Sequence, residues 1–315
     1  MRIGLALGAG GVVGASWMIG ALRALSERGG LAPGAADAIL GTSVGSLIGS
    51  MAVGEVSLGA MAAYLRGARE EALAELDGHD AMALRLARLP LPLGPGSLRM
   101  AFAARSATAL VTALLPRGVV RTDAISELVD RAIGTAWPAG GRLRIVACDY
   151  ASGQRVLFGD GRGPACTPGE AVAASCAIPG FYEPVRIGGR RYIDGGVHSH
   201  SNLDLLADAG LDAVIVLNPM SSSAWVGGGG LRERIVASRR RRSAGLLSAE
   251  VAGLRALGIN VLALEPAFAD LAAMGPNMMA RERVAAAIDA GRASTERALR
   301  RIGRKRLRLV GLAAG

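Results

Sequence analysis

The beginning of the chain alternates short apolar segments with glycine-rich turns and helix-forming segments. Ile3–Leu7 predicts a buried strand, and Val12 to Arg28 predicts a helix that ends at Gly29-Gly30. Ala36–Leu40 and Val44–Val53 repeat the strand and the helix. A strand–loop–helix unit that occurs twice in succession is typical of a parallel sheet covered by helices. This pattern constrains the fold more than any other feature of the chain.

The rest of the chain continues the sheet after a helical interruption near residues 60–135, which predicts an insertion. Further strands are predicted at Arg142–Asp149, Gln154–Phe158, Val185–Ile187, Arg190–Ile193, Ala213–Leu217 and Ile259–Leu264. Helices are predicted at Pro168–Ala177, Asn202–Ala209, Leu231–Ala256 and Asn277–Arg301, and a flexible linker at Ser221–Gly230. We therefore expect one domain, residues 1–315, with a three-layer α/β/α fold, a mostly parallel central sheet and a C-terminal helical part, residues 231–303.

The uncharged run from Ile3 to Leu22 has the length of a membrane span but not its composition. Six glycines interrupt it, and each weakens a helix by about 1 kcal/mol. The cysteines Cys148, Cys166 and Cys176 are too few for a disulfide framework and form no zinc-binding motif. We therefore expect a soluble protein in the reducing cytoplasm, without a metal or another cofactor.

The chain carries a formal net charge of +10, which suits an anionic partner. No nucleic-acid-binding motif accompanies this charge, so we expect no nucleic acid partner. The run Arg239–Arg242 lies in a predicted helix and allows peripheral contact with an anionic membrane, such as the inner membrane face. A solvated helix face explains the same run, and the sequence leaves both interpretations open.

The segment Gly41-Thr42-Ser43-Val44-Gly45 lies directly after a predicted strand and directly before a predicted helix. This is the context of a nucleophile elbow, in which a tight turn exposes the serine hydroxyl. Gly41 and Gly45 would permit close approach of the neighbouring chain, and the helix N-terminus would stabilise negative charge. The pattern alone is weakly specific in a chain with 45 glycines, where a glycine-rich helix start also explains it.

The loop after the first strand, from Gly8 to Gly14, contains consecutive glycines whose N–H groups are able to bind an oxyanion. A dinucleotide-binding loop is the competing interpretation. Its spacing fails, because Val13 stands where the third glycine belongs. The acidic residue that such a loop requires would be Asp37, which lies at the start of the second strand rather than at its end.

Asp194 follows the apolar end of a predicted strand, Tyr192-Ile193, and precedes Gly195 and Gly196. Two glycines in this position leave the carboxylate sterically open. A simple Asp-Gly turn explains the same residues without any chemistry.

Taken together, these three motifs resemble those of the patatin-like phospholipases. Leu5–Leu25 is similar to the family's opening segment, and Leu143–Gly159 to its central strand pair. Ala171–Val185, with Ser175 and Pro179, resembles its Ala-Ser-x-Ala-x-Pro segment. Asp194–Asn202 resembles its base motif, and the resemblance extends over about residues 3–218.

The resemblance implies a patatin-like fold and a serine lipid-acyl hydrolase with a Ser–Asp dyad. Ser43 would attack the ester carbonyl of a phospholipid, lysophospholipid or related acyl ester, and Asp194 would accept its proton. The N–H groups of Gly10, Gly11 and Val12 would bind the oxyanion. Two positions depart from the family's loop: Ala9 replaces a glycine, and Val13 replaces the usual basic residue, which leaves the preference for phosphate-bearing lipids open.

Other functions remain possible at this point. A Ser–His–Asp esterase or an acyltransferase would use His198 or His200, but such folds carry their histidine near the end of the chain. His79, in the helical stretch, is interpreted as a surface residue. A degenerate lipid-binding regulatory protein is favoured by Val13 and opposed by the intact Ser43 and Asp194.

Overall fold

The computed structural model describes residues 1–67, 118, 120–223 and 230–313. Most of the helical insertion expected near residues 60–135 lies outside the described residues. Its two described ends are helical, at Leu58–Leu65 and Asp123–Ile133.

A mixed sheet of eight strands forms the centre of the described part of the chain. The strands are β1 (Ile3–Leu7), β2 (Ala38–Thr42), β3 (Leu143–Asp149), β4 (Arg155–Phe158), β5 (Val185–Ile187), β6 (Arg190–Asp194), β7 (Ala213–Leu217) and β8 (Asn260–Leu264). Their order is β5-β6-β3-β2-β1-β7-β8, and β4 also pairs with β3. The pairs from β3 to β8 along this order are parallel, whereas β4, β5 and β6 pair antiparallel. The expectation of a mostly parallel sheet is confirmed.

Helices cover both faces of this sheet. They are α1 (Gly11–Gly29), α2 (Val44–Val53), α3 (Leu58–Leu65), α4 (Asp123–Ile133), α5 (Pro168–Ser175), α6 (Leu231–Ala256), α7 (Phe268–Met274), α8 (Val284–Arg301) and α9 (Arg304–Leu309). Successive residues of a strand point to opposite faces. Accordingly, Leu5 and Leu7 lie in one core with α1, α2 and α8, and Ala6 lies in a second core with α6. These two cores give the three-layer α/β/α fold.

The helix α8 packs so closely on α1 that two glycines are needed at the contact. A Cβ atom on Gly20 would lie 2.0 Å from the carbonyl oxygen of Ile288, and one on Gly291 would lie 2.2 Å from that of Trp17. The segment before α8 is thereby held over the start of α1, where the N–H of Val13 donates to the carbonyl of Met278 (2.9 Å).

The second strand is shifted by two residues, to Ala38–Thr42, and three other predicted segments differ more from the structure. The last long helix begins at Val284 rather than at Asn277, and Asn202–Ala209 forms only a short 3-10 helix, Leu203–Leu206. The expected linker begins with two ordered serines: Ser221 donates to the carbonyl of Asn218 and Ser222 to that of Pro266. Residues 224–229 of that linker lie outside the described residues. In the described ranges, no helix combines the length and the apolar character needed to cross a bilayer.

Candidate active site

The ends of β2 and β6 meet because both strands pair with the same edge of β3. Strand β2 pairs with Leu143–Val146, β6 pairs with Ala147–Asp149, and β4 pairs with Ile145–Cys148. One edge of a strand accepts one partner at any residue, so the overlaps place β4 on one edge and β2 and β6 end to end on the other. The residue after β2 is Ser43 and the last residue of β6 is Asp194, so this topology brings the two together.

Ser43 has the strained backbone of a nucleophile elbow. Its φ of 55° and ψ of −129° lie in a region that residues other than glycine rarely adopt. A Cβ atom on Gly41 would lie 2.3 Å from the Cα of Ser46, and one on Gly45 would lie 2.0 Å from the carbonyl oxygen of Leu7. Both flanking positions therefore require glycine, which supports the elbow over a merely glycine-rich helix start.

Two side chains outside the elbow hold it in this conformation. Ser175 accepts a hydrogen bond from the N–H of Ser43 (2.8 Å) and donates to the carbonyl of Val146 (2.6 Å). Asn202, fully buried and with a φ of 48°, donates through Nδ2 to Thr42 Oγ1 (3.1 Å) and to the carbonyl of Ser199 (2.6 Å). Asn202 thus joins the strand before the serine to the loop after Asp194.

The carboxyl group of Asp194 is buried beside the serine. Asp194 is 6% exposed, its Oδ1 accepts the N–H of Gly196 (2.7 Å), and the Ser43 side chain is close enough to lower its pKa. Burial raises the pKa of Asp194 to about 6, and the interactions with Ser43 and Gly196 oppose that rise. A carboxylate with this pKa is a competent proton acceptor near neutral pH.

The two glycines after Asp194 fit the loop closely against its neighbours. A Cβ atom on Gly195 would lie 2.4 Å from the carbonyl oxygen of Val146. One on Gly196 would lie 3.0 Å from Oδ1 of Asp194 itself. Glycine in these positions therefore allows the packing on β3 and the hydrogen bond to the carboxylate.

Three consecutive N–H groups at the start of α1 have no protein acceptor among the described residues. They belong to Gly10, Gly11 and Val12, whereas the N–H of Ala9 donates to His200 O and that of Val13 to Met278 O, both at 2.9 Å. Free N–H groups at a helix N-terminus are able to bind an anion. Gly10 and Gly11 line the same cavity as Ser43, and Val12 does not.

The dinucleotide-binding interpretation of this glycine loop finds no support in the fold. The loop follows the carboxyl end of β1. Asp37 lies at the opposite end of the sheet, before β2, where its carboxylate accepts the N–H of Ile3 (2.7 Å). A ribose near the loop would therefore be out of reach of Asp37.

The cavity at the elbow has a volume of about 500 Å³. Its lining is largely apolar. The polar groups in it come from the elbow, from the loop Asp194–Asn202 (the base loop) and from α6. The lining residues are Ala9, Gly10, Gly11, Ser43, Ile178, Pro179, Asp194, Gly196, Val197, His198, Ser199, His200, Met220, Arg239, Arg242, Ser243, Leu246, Met278 and Met279.

Both histidines near the site lie in this lining, but neither is hydrogen-bonded to Ser43 or Asp194 among the described residues. His200 Nδ1 lies 2.9 Å from Ser243 Oγ, and burial, followed by the nearby arginines, lowers the pKa of His200 to about 4. His198 is exposed to solvent on one side, and desolvation by the protein atoms around its ring lowers its pKa. His79 lies outside the described residues. The part of the chain that the structure describes also holds no cluster of three or more potential metal ligands.

The loop geometry predicts a large effect of Gly11→Val. Gly11 has a φ of +59°, and a Cβ atom there would lie 2.8 Å from the carbonyl oxygen of Met278. We expect kcat for ester hydrolysis to fall by roughly a hundredfold or more, the scale of one lost oxyanion donor.

The matched control is Gly258→Val, since Gly258 has a φ of +82° with nothing within 4 Å. It introduces the same backbone strain away from the cavity and should leave kcat unchanged. A folded Gly11→Val variant, as judged by circular dichroism, that keeps full kcat would place the oxyanion donors elsewhere.

Comparison with known proteins gives one matching family model and similarities to solved structures. A family model described as patatin-like phospholipase matches residues 5–207. Among solved structures, VipD from Legionella pneumophila is 14% identical with a TM-score of 0.42, and the match covers 94% of this chain and 66% of that chain. The type III effector protein ExoU is 15% identical with a TM-score of 0.36, and the match covers 98% of this chain and 53% of that chain.

Proposed function

The chain belongs to the patatin-like phospholipase family, and from this membership we propose that it is a serine lipid-acyl hydrolase that uses Ser43 and Asp194 as a catalytic dyad. One observation carries the proposal. The serine of a strained elbow and a buried carboxylate whose pKa it lowers lie together in the wall of a largely apolar cavity. The proposed substrates are phospholipids, lysophospholipids or related acyl esters.

In the proposed reaction, Ser43 Oγ attacks the ester carbonyl carbon while its proton passes to the Asp194 carboxylate. The tetrahedral intermediate collapses, and protonated Asp194 returns the proton to the leaving alcohol. Asp194 then accepts a proton from water, whose oxygen attacks the carbonyl carbon of the acyl-enzyme. As this second intermediate collapses, Asp194 returns the proton to Ser43 Oγ and the fatty acid is released. The raised pKa of Asp194 suits this role, because the group must both gain and lose the proton in each cycle.

The free N–H groups of Gly10 and Gly11 would bind the oxyanion during both steps. Each such donor lowers the barrier by about 3 kcal/mol. The N-terminus of α1 adds a positive partial charge at the same place. Val12 is kept as a third donor because its N–H is also free of protein acceptors in the described part of the chain.

The alternatives have weaker support in the described residues. A Ser–His–Asp esterase or acyltransferase needs an imidazole on the serine, but His200 is engaged with Ser243 and His198 is exposed. A degenerate lipid-binding protein would not need the strained φ at Ser43 or a buried carboxylate beside it in the same cavity. We therefore retain the dyad hydrolase as the proposal.

The function is tested by offering a panel of short-chain acyl esters and measuring the fatty acid released. The panel contains a diacyl phospholipid, a lysophospholipid, a monoacylglycerol and a p-nitrophenyl ester. We expect release from at least one lipid ester and a fluorophosphonate adduct on Ser43, located by mass spectrometry. Neither release nor adduct from a folded protein would favour the lipid-binding alternative.

We also propose that the protein lies in a reducing compartment such as the cytoplasm. There it would make peripheral contact with an anionic membrane. The net charge of +10 and three free cysteines support this. The run Arg239–Arg242 is not one continuous surface, however, because Arg240 is buried. Binding to anionic vesicles should weaken as salt rises, since exposed charges are screened within ~8 Å at physiological ionic strength. Co-sedimentation that is absent or independent of salt would rule this contact out.

A further inference from the structure

One face of α6 forms a wall of the catalytic cavity. The lining residues that it contributes are Arg239, Arg242, Ser243 and Leu246. Their spacing of three, four and seven residues places them on the same side of a helix. Two guanidinium groups therefore stand at the cavity that contains Ser43, and both side chains are exposed.

The described residues do not neutralise these two arginines. Neither Arg239 nor Arg242 has an ion-pair partner among the described residues. Asp194 is the one acidic side chain in the described lining, and it is buried and accepts the N–H of Gly196. The cavity wall thus presents two positive charges without a compensating carboxylate.

Contacts at both ends of this face fix α6 relative to the catalytic groups. The buried Arg240 donates to the carbonyl of Pro219 (2.7 Å), and its burial lowers its pKa to about 10. About two helix turns past Arg242, Glu250 accepts hydrogen bonds from Ser199 and Ser201, both at 2.6 Å. Both serines follow Asp194 in the base loop. The helix therefore holds Arg239 and Arg242 at a set position beside the dyad.

The remaining lining next to the arginines is apolar, with Met220, Leu246 and Met278 among its residues. A ligand that fills this space needs an apolar part and an anionic part close together. Guanidinium groups pair with phosphate oxygens through two parallel hydrogen bonds, which suits a tetrahedral anion held by two arginines. Val13 supplies no cation from the glycine loop, so in the described lining the cations come from α6.

We propose that Arg239 and Arg242 form a phosphate subsite that makes the enzyme select acyl esters with a phosphate group near the scissile ester. The inference rests on the proposed hydrolase function and extends it to the choice of substrate. Both residues lie beyond the segment 5–207 that the family model matches, so the family match does not assign them.

The test compares octanoylglycerol phosphate with octanoylglycerol, which share the acyl chain and differ in the phosphate. Both are used below their critical micelle concentrations, so that binding to a lipid surface does not contribute. The protein should favour the phosphate-bearing ester in kcat/KM by at least about tenfold, the scale of one charge-assisted contact. In Arg239→Gln/Arg242→Gln this preference, measured as the ratio of the two kcat/KM values, should fall by roughly 10- to 100-fold.

The matched control is Arg234→Gln/Arg241→Gln, which removes the same charge from the same helix at residues outside the cavity lining. Its preference should equal that of the unmodified protein. An equal loss in both double variants would mean a general charge effect and would overturn the subsite. Hydrolysis of both esters without any preference would overturn it as well, while leaving the hydrolase intact.

A binding measurement keeps the two proposals separable. Ser43→Ala is titrated by calorimetry with octanoylglycerol phosphate, octanoylglycerol and inorganic phosphate. The subsite predicts the tightest binding for the first, and a weakening of roughly tenfold or more when both arginines are glutamine. If this binding is observed and the unmodified protein hydrolyses neither ester, the hydrolase proposal is rejected and the subsite is kept. Equal affinity for inorganic phosphate would indicate a site for the free ion and would reject the lipid subsite.

Discussion

Ser43→Ala is expected to reduce the turnover of p-nitrophenyl and lipid esters by at least about 10⁴-fold, because it removes the nucleophilic oxygen and leaves only binding and oxyanion stabilisation. The measurement is kcat at saturating ester. The fluorophosphonate adduct should disappear in the same variant, since the probe forms its bond with the same oxygen. Turnover that is unchanged in Ser43→Ala would end the assignment of the nucleophile.

This variant is expected to fold, because the elbow is held through the backbone of Ser43. The N–H of Ser43 donates to Ser175 and its carbonyl accepts from the hydroxyl of Ser46, and alanine keeps both groups. The matched control is Ser50→Ala, since Ser50 is a buried serine of α2 whose hydroxyl donates to the carbonyl of Ser46. It should keep full turnover. Circular dichroism and thermal unfolding check that both variants remain folded.

The sequence predicted strands and helices well where glycine or proline marks the ends of strongly apolar segments. Ile3–Leu7, Val44–Val53 and Ala213–Leu217 have the predicted bounds. The hairpin between β5 and β6 turns at Gly188-Gly189 as predicted, and both glycines have a positive φ. Residue types with special backbone requirements therefore carried most of the local information.

The contacts that assemble the site could not be predicted in the same way, because they depend on pairing between distant strands. The shared edge of β3, where Ser43 meets Asp194, follows from three registers that no local pattern contains. No local sequence pattern predicts the positive φ of Asn202, and the residue type is the one indication of it. Ser175 and Asn202 were found only through the family resemblance, without their hydrogen-bonding roles.

The run Arg239–Arg242 shows the same limit at the level of one helix. Its periodicity divides the four arginines between different faces, but only the packing of α6 shows which face adjoins the cavity. Packing buries Arg240 and leaves Arg239 and Arg242 in the cavity lining. An interpretation as one uniform surface patch, whether solvated or membrane-bound, is therefore wrong for Arg240.

The second large effect is expected for Asp194→Asn, which should reduce kcat to nearly the level of Ser43→Ala. The asparagine side chain keeps an oxygen that accepts the N–H of Gly196, so the loop geometry is retained. Its amide group, however, cannot accept a proton from Ser43 at neutral pH. In a dyad this removes the general base, and kcat falls although the structure is unchanged.

Stability distinguishes loss of the base from loss of the fold. Burial raises the pKa of Asp194 from 3.8 to about 6, so folding favours the protonated carboxyl group. That contribution is present below about pH 4 and is lost as the pH rises through 6. A shift of about two units corresponds to roughly 3 kcal/mol. At pH 8 the asparagine variant lacks this buried charge, so it should unfold at a temperature no lower than that of the unmodified protein.

The pH dependence of kcat/KM and two histidine variants complete the test of the base. Only ionised Asp194 accepts the proton, so kcat/KM should rise about tenfold per pH unit below 6 and level off above it. His200, with its pKa lowered to about 4, is neutral over this range. Desolvation lowers the pKa of His198 as well, so the pH profile is combined with variants of both histidines. We expect His198→Ala and His200→Ala each to keep a substantial part of kcat and the same inflection near pH 6. If either folded variant is as inactive as Ser43→Ala, the histidine is the base, Asp194 only orients it, and a triad replaces the dyad.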